Sequence, residues 1–205
     1  MLMVNLAGLS QLGFLVISAW RAGGLVGDEG FLYFAYGSNV LERRLRLLNL
    51  SAVRVSVGCL KGYKLAFGNW NRSENRWGGG VATILPSPDD EVWGVVWHLK
   101  YNDRQSLDHQ EGVHKGIYSP IEVKVQRQCA GEELSCLSYE LNNFNSNLTS
   151  PLYKKVIIKG ARENGLPTEY LKKLDTILTN NYNETTPFTM QIMEILHQDT
   201  NNTSI

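Results

Sequence analysis

The sequence predicts an α+β fold: a single domain in which a small, mixed, barrel-like sheet is flanked by helices. Three observations lead there. Short segments of alternating apolar and polar residues recur between residues 30 and 141, as half-buried strands do. Two later stretches, 151–164 and 167–178, instead carry helix start and stop residues. The chain has 205 residues, 43% apolar and 20% charged, which is ordinary for one globular domain with a substantial core.

The elements follow in order. Residues 1–29 are an apolar leader that reads as a candidate signal peptide. Leu6–Trp20 is shorter than a bilayer-spanning helix of about 20 residues, and small residues Ala22, Gly23 and Gly24 follow it. The lack of Lys or Arg before the apolar run argues against that reading. The aromatic run Phe31–Ala35 then stops at Tyr36-Gly37-Ser38-Asn39 and gives way to Leu41–Leu48: a buried strand, a tight turn and an amphipathic helix. At that turn Gly37 permits a positive φ, and Ser38 and Asn39 are good N-cap residues. The free N–H groups of a first helical turn can hold a carboxylate or a developing oxyanion. Tyr33 and Tyr36 are expected on one face of the strand.

Val53–Val57 and Tyr63–Phe67 read as two strands, and residues 68–80 as a glycine-rich loop with Gly78-Gly79-Gly80 as a tight turn. Val81–Leu85 and Val92–Leu99 read as strands joined by a Pro86–Asp90 turn. A capped helix from Asn102 ends near Glu111-Gly112. Ile121–Val125 and Leu137–Leu141 form a hairpin. After residues 30–180, the domain proper, 181–205 is a polar tail with one apolar patch at Phe188–Leu196.

Bulk chemistry narrows the partners. Twenty basic residues balance twenty acidic ones, which argues against a nucleic-acid partner. The one basic cluster, Arg43, Arg44 and Arg46, reads as a solvated helix face. Six Asn-x-Ser/Thr triplets begin at Asn49, Asn71, Asn147, Asn183, Asn201 and Asn202, where composition predicts about two, so the chain leans towards secretion, with a cytoplasmic protein as the alternative. Cys129 and Cys136 flank the hairpin turn, either as a disulfide or as two free thiols, and Cys59 has no evident partner.

Several polar residues invite chemistry. Ser38 sits in Tyr-Gly-Ser-Asn rather than Gly-x-Ser-x-Gly, so it reads as a cap and hydrogen-bond donor and not as a nucleophile. His109, Glu111 and His114 lack the zincin spacing, and no metal or other cofactor is called for. Gly78-Gly79-Gly80 lacks the Lys-Ser/Thr of a phosphate cradle. Glu91 and Glu122 read as solvent-facing. Glu111 precedes a glycine at a helix end. Such a carboxylate serves as a base near neutral pH only if burial raises its pKa.

The ordered set Tyr36-Gly37-Ser38-Asn39, Gly68-Asn69, Trp77–Ile84, Asp90–Trp97, Gln110–Val113, Tyr153–Lys155 and Gly160–Pro167 resembles the γ-glutamylcyclotransferase family over roughly residues 31 to 175. The resemblance implies a closed sheet, a homodimer, and an enzyme converting γ-glutamyl amino acids or related γ-glutamyl amides to 5-oxoproline and a free amine. It implies Glu111 as the catalytic acid/base and Tyr33, Phe34, Ala35, Tyr36, Gly37, Ser38 and Tyr153 as substrate-binding residues. Tyr118 and Tyr139 are weaker candidates. Gly78 stands where family members often carry a histidine or another polar residue. Two other readings stay open: a glutathione-specific cyclotransferase, against which Asn39 speaks, and a secreted, catalytically weak binding protein with a γ-glutamyl pocket.

Overall fold

The computed structural model describes residues 29–71, 74–129 and 131–197. The leader lies outside the described residues except for Glu29, and so do the sequons at Asn201 and Asn202.

Five strands close on themselves. β1 (Gly30–Ala35) runs antiparallel to β3 (Val81–Lys100), from Gly30↔Lys100 to Ala35↔Val95, and parallel to β5 (Glu133–Leu141) at Tyr33↔Leu137. β5 pairs antiparallel with β4 (Tyr118–Arg127), and β4 meets β2 (Val53–Trp70) at Gly58↔Arg127. The long β2–β3 ladder completes the ring, and β6 (Phe144–Ser146) adds to the far end of β2. Closure leaves the five ring strands without a free edge. The closed sheet is as expected.

β2 and β3 are longer than the sequence suggests. The two predicted segments on each side belong to one strand. The register passes from Lys61↔Glu91 to Tyr63↔Pro86, so residues 87–90 bulge out of the ladder opposite Gly62, with Ser87 Oγ donating to Asp90 Oδ2 at 2.7 Å. Pro86 and Pro88 read as strand breakers, yet a bulge accommodates them while the partner strand carries the pairing past them.

The helices cover the ring. α1 (Glu42–Leu45) is a single turn. α2 (Arg104–Gln110) follows β3. α3 (Pro151–Glu163), α4 (Thr168–Asp175) and α5 (Pro187–His197) pack outside it. α3 is capped by Ser150, whose side chain accepts from Tyr153 N–H, with Pro151 next to the cap. Phe34, Ile84, Trp97, Leu99 and Leu107 are fully buried within the core. The stretch expected as a polar tail contains α5, which buries Ile192, Ile195 and Leu196 against α1 and α3. The apolar patch at 188–196 is the inner face of that helix. Among the described residues no helix is long and apolar enough to cross a membrane.

The hairpin disulfide does not form: all three cysteines are free. Register explains why. Cys136 faces Val123 across the hairpin, while Cys129 lies beyond the end of β4. Burial pushes the Cys59 and Cys136 thiols up to about 12.

Candidate functional site

Three segments converge at one end of the ring. β1 ends at Ala35, and Tyr36 and Gly37 lead into a 3₁₀ turn, Ser38–Val40. The helix after this turn is shorter than expected, and neither Ser38 nor Asn39 caps it with a side chain. Gly37 has φ −104°, so its glycine serves close approach and not a positive φ: a Cβ there would sit 3.0 Å from the Tyr153 hydroxyl and 3.1 Å from Ala82 Cβ. The turn is held from behind by Asn164 Nδ2, which donates to Val40 O at 2.9 Å. Glu111 ends α2. Gly112 follows at φ +68°, a left-handed residue that closes the helix with its N–H on His109 O.

The inner pocket is lined by Tyr33, Tyr36, Gly37, Ser38, Asn39, Ala82, Glu111, Tyr118, Tyr139 and Tyr153. Its hydroxyls are tied down. Tyr36 donates to Tyr139 O, Tyr118 to Ala82 O at 2.7 Å, and Tyr139 to Asp108 Oδ1 at 2.5 Å. Tyr153 accepts from Ala82 N–H at 3.1 Å. A chain of side-chain amides reaches the carboxylate. Asn49 Nδ2 donates to Gln110 Oε1 (3.2 Å), Gln110 Nε2 to Asn39 Oδ1 (2.9 Å), and Asn39 Nδ2 to Glu111 Oε1 (2.9 Å) and the Tyr33 hydroxyl (3.1 Å). Asn49 is fully buried, with Leu45 O as its second acceptor, so the sequon that begins there has no room for a glycan in the folded protein.

The pocket shifts its acids and bases. Burial raises the pKa of Glu111, opposed first by Arg44 and then by the Gln110 and Asn39 hydrogen bonds and by Arg76. Burial also raises Tyr33, Tyr36, Tyr118 and Tyr153, so all four hydroxyls stay protonated. Outside Glu111 the site widens into a cleft of about 530 Å³, which Ser38, Tyr118 and Tyr153 also line. Its wall is aromatic: Trp77 meets Tyr153 edge-on at 4.6 Å and Phe188 edge-on at 4.8 Å. Its polar groups include Arg44, Arg76 and Lys115, the acid Glu74, the amides of Asn75 and Gln110, and the stacked His109–His114 pair, 4.6 Å apart. Among the described residues no group of three or more His, Cys, Asp or Glu converges.

The structure thus brings Tyr33, Tyr36, Gly37, Ser38, Tyr153 and Glu111 to one pocket, with Tyr118 and Tyr139 beside them. It does not bring Phe34 or Ala35. Both are buried and off the pocket lining: Phe34 faces the opposite side of β1 from Tyr33, and Ala35 pairs with Val95. Tyr33 and Tyr36 share the pocket for a reason other than strand geometry. Residues three apart on a strand face opposite ways, and Tyr36 returns to the pocket because β1 has ended. Gly78 is absent from both pocket linings. The glycine turn places Trp77 in the cleft wall, with Gly78 N–H on Asn75 O. Arg44 is not a solvated residue: Leu41, Arg44 and Leu45 form the buried stripe of the turn, and Arg44 is 4% exposed. That spacing was the available signal. Asn49 and Gln110 carried no signal in the sequence.

Known proteins match this chain over most of the domain that holds this pocket. A γ-glutamylcyclotransferase of Bos taurus is 55% identical over 155 residues, covering 75% of this chain and 82% of that protein. The chain belongs to the γ-glutamylcyclotransferase family. The Homo sapiens γ-glutamylcyclotransferase is 52% identical over 156 residues, with 76% and 82% covered. A solved γ-glutamyl cyclotransferase superposes with a TM-score of 0.77 at 48% identity, over 81% of this chain and 99% of that one. The AIG2-like family model matches residues 91–174. The γ-glutamylcyclotransferase fold is therefore common to this chain and the solved enzyme, a closed barrel-like sheet with helices around it.

Proposed function

We propose that this chain cyclises γ-glutamyl amino acids to 5-oxoproline with Glu111 as its acid/base. The observation that carries the reading is the Glu111 carboxylate on the floor of the tyrosine pocket, its pKa raised by burial and its position fixed by Asn39 at 2.9 Å. The substrate supplies its own nucleophile. Its α-ammonium gives a proton to Glu111, the freed amine attacks the γ-carbonyl carbon, and a C–N bond closes the five-membered ring. The tetrahedral intermediate then collapses: the old amide C–N bond breaks as Glu111 returns the proton to the leaving nitrogen, and the carboxylate so freed takes the second proton from the ring nitrogen, which the departing amine carries away as its ammonium. Intramolecular attack already carries a high effective molarity, so the pocket has mainly to fold the substrate and pass these two protons. The Tyr33 oxygen accepts from Asn39, which leaves its own O–H to donate, and we assign the oxyanion to it and to the N–H groups of the Gly37–Ser38 turn.

Purified protein should release 5-oxoproline from γ-glutamyl-alanine, faster than from glutathione. Glu111→Gln should lose that activity while keeping its circular-dichroism spectrum. Undiminished turnover in the variant refutes Glu111 as the base, and no product from wild type refutes the cyclisation.

Two further properties belong to this proposal. The exposed apolar side chains of Leu47, Leu48, Leu50 and Val53 support a homodimer, which a monomeric mass by light scattering refutes. The exposed sequons Asn71, Asn147 and Asn183 support a secreted form, which an unprocessed, unglycosylated chain by mass spectrometry refutes.

A further inference from the structure

The outer cleft holds a buried guanidinium that forms no ion pair among the described residues, although Glu74 and Glu111 also line the cleft. Of the three arginines on or beside α1, Arg43 lies 2.6 Å from Glu163 Oε1 and Arg46 lies 3.1 Å from Glu42 Oε1. Arg44, which points inward and is 4% exposed, has a buried Nε without a hydrogen-bond partner, and it forms no ion pair among the described residues. Its Cζ lies 5.9 Å from the centroid of the Trp77 ring. Glu111 acts on it through space, but that carboxylate is held by Asn39. Beside it Arg76, exposed at the cleft mouth, rests its Cζ 4.5 Å over the Phe188 ring. The two guanidinium groups repel each other, and burial disfavours the charge of each. A buried, unpaired guanidinium is costly to a folded protein, and a second positive charge near it adds to that cost. An anion bound between them would remove both costs.

The position of Arg44 says which anion. It lines the outer cleft and not the inner pocket, and Glu111 lies at the junction of the two. If the γ-glutamyl chain occupies the inner pocket, the amine departs past Glu111 into the outer cleft. In an amino acid the carboxylate sits one carbon from that departing nitrogen. We propose that Arg44, with Arg76 at the mouth, receives the α-carboxylate of the leaving amino acid and so sets a preference for γ-glutamyl amino acids over γ-glutamyl amines. Planar guanidinium donors match a carboxylate fork, which suits them to this task. The assignment rests on the cyclisation proposed above and deepens it.

The test compares two substrates that differ by that carboxylate alone: γ-glutamyl-alanine and γ-glutamyl-ethylamide. Wild type should prefer the first in kcat/KM by about tenfold to a hundredfold, the range of a charge-assisted hydrogen bond. Arg44→Met should bring the ratio close to one, chiefly through KM for the alanine substrate, and should melt no lower than wild type because a buried unpaired charge has gone. The ratio is the readout because any effect of Arg44 on Glu111 acts on both substrates alike. Arg76→Gln, at an exposed position, should lower the ratio by a smaller factor and tests the subsite whether or not the Arg44 variant folds. Equal use of both substrates by wild type, or a ratio unchanged in Arg76→Gln and Arg44→Met, overturns the subsite and leaves the cyclisation standing. Release of 5-oxoproline from neither substrate by wild type overturns the cyclisation, and this assignment with it.

Discussion

The inner pocket and the outer cleft meet at Glu111 and share Tyr153, yet they treat polar groups in opposite ways. In the inner pocket Tyr36, Tyr118, Tyr139 and Tyr153 each have a hydrogen-bond partner, and three amides in series hold the carboxylate. In the outer cleft a buried guanidinium keeps an Nε without a hydrogen-bond partner, and an exposed one is propped on an aromatic ring. The difference follows from what each must bind. A satisfied network is stiff and suits a group that is the same in every substrate. Unanswered charge is completed by the ligand, and suits the part where discrimination is needed.

The sharpest way to break this contrast is Glu111→Gln. Loss of an acid/base group is expected to lower kcat by about 10²–10⁴. Its effect on stability has a sign. Burial raises the Glu111 pKa above its ordinary 4.5, so the native state holds that proton more tightly than the unfolded chain does. Its stabilising contribution is complete below the unfolded value and is lost as pH rises through the folded one. Glutamine suffers no such loss. Melting curves should therefore show the variant gaining on wild type as pH rises above the ordinary carboxylate value, by about 2–4 °C for each kcal/mol in a chain of this size. A variant that melts lower than wild type at neutral pH would mean that Arg44 depends on Glu111 for its charge balance. The cleft would then no longer be the unanswered side.

Asn39→Ala probes the joint between the two regions. It removes the hydrogen bonds to Glu111 and Tyr33 and the Asn39 acceptor of Gln110 Nε2. Each buried hydrogen bond lost costs about 0.5–1.5 kcal/mol of stability. Asn39 favours the ionised carboxylate, so its loss should raise the Glu111 pKa further and move the acidic limb of kcat/KM to higher pH. A limb that stays put, with only a lowered melting temperature, would reduce the amide chain to a structural brace.

These two residues mark how far the sequence could be read. The strand and turn were legible because they are local, an aromatic run broken at Gly37, whereas Glu111 was legible only through the family resemblance, since a Glu before a glycine is by itself an ordinary surface pattern. The continuity of β2 and β3 was not, since Gly62 and Pro86–Asp90 are breakers by local rules and only the facing strand resumes the ladder. The amide chain joins residues 61 to 72 positions apart, and no spacing announces it. Arg44 was hidden differently. Three arginines close together read as a wet helix face, although Leu41 and Leu45 mark its neighbour positions as the buried ones. The 3₁₀ turn displaced the expected caps, and the positive φ that Gly37 permits is not used.

Gly37→Ala is a milder probe of inner-pocket stiffness. The new methyl would press on the Tyr153 hydroxyl at 3.0 Å and on Ala82 Cβ at 3.1 Å, so one of them must give by a few tenths of an ångström. Tyr153 is held by Ala82 N–H, and the two cannot both keep their places. Overpacking of this kind costs about 1–3 kcal/mol, seen as a lower melting temperature, with KM raised for γ-glutamyl-alanine and γ-glutamyl-ethylamide alike. A change confined to the alanine substrate would place the effect in the outer cleft and blur the division.

The smallest expected effect is a null at one of several similar sites. Asn49, Asn71, Asn147 and Asn183 all begin sequons among the described residues, and the last three are exposed. Asn49 is the far end of the amide chain, with its Nδ2, the atom a glycan would use, given to Leu45 O and Gln110 Oε1. A sugar attached before folding would have to be expelled from a fully buried position, so chains that carry it cannot close the pocket. When the protein is expressed through a secretory pathway, glycopeptide mapping of the folded, active fraction should find sugar at exposed sites and none at Asn49. Occupancy at Asn49 in enzyme that still turns over substrate would show that the inner network tolerates being broken at its root, and the stiffness ascribed to it would be lost.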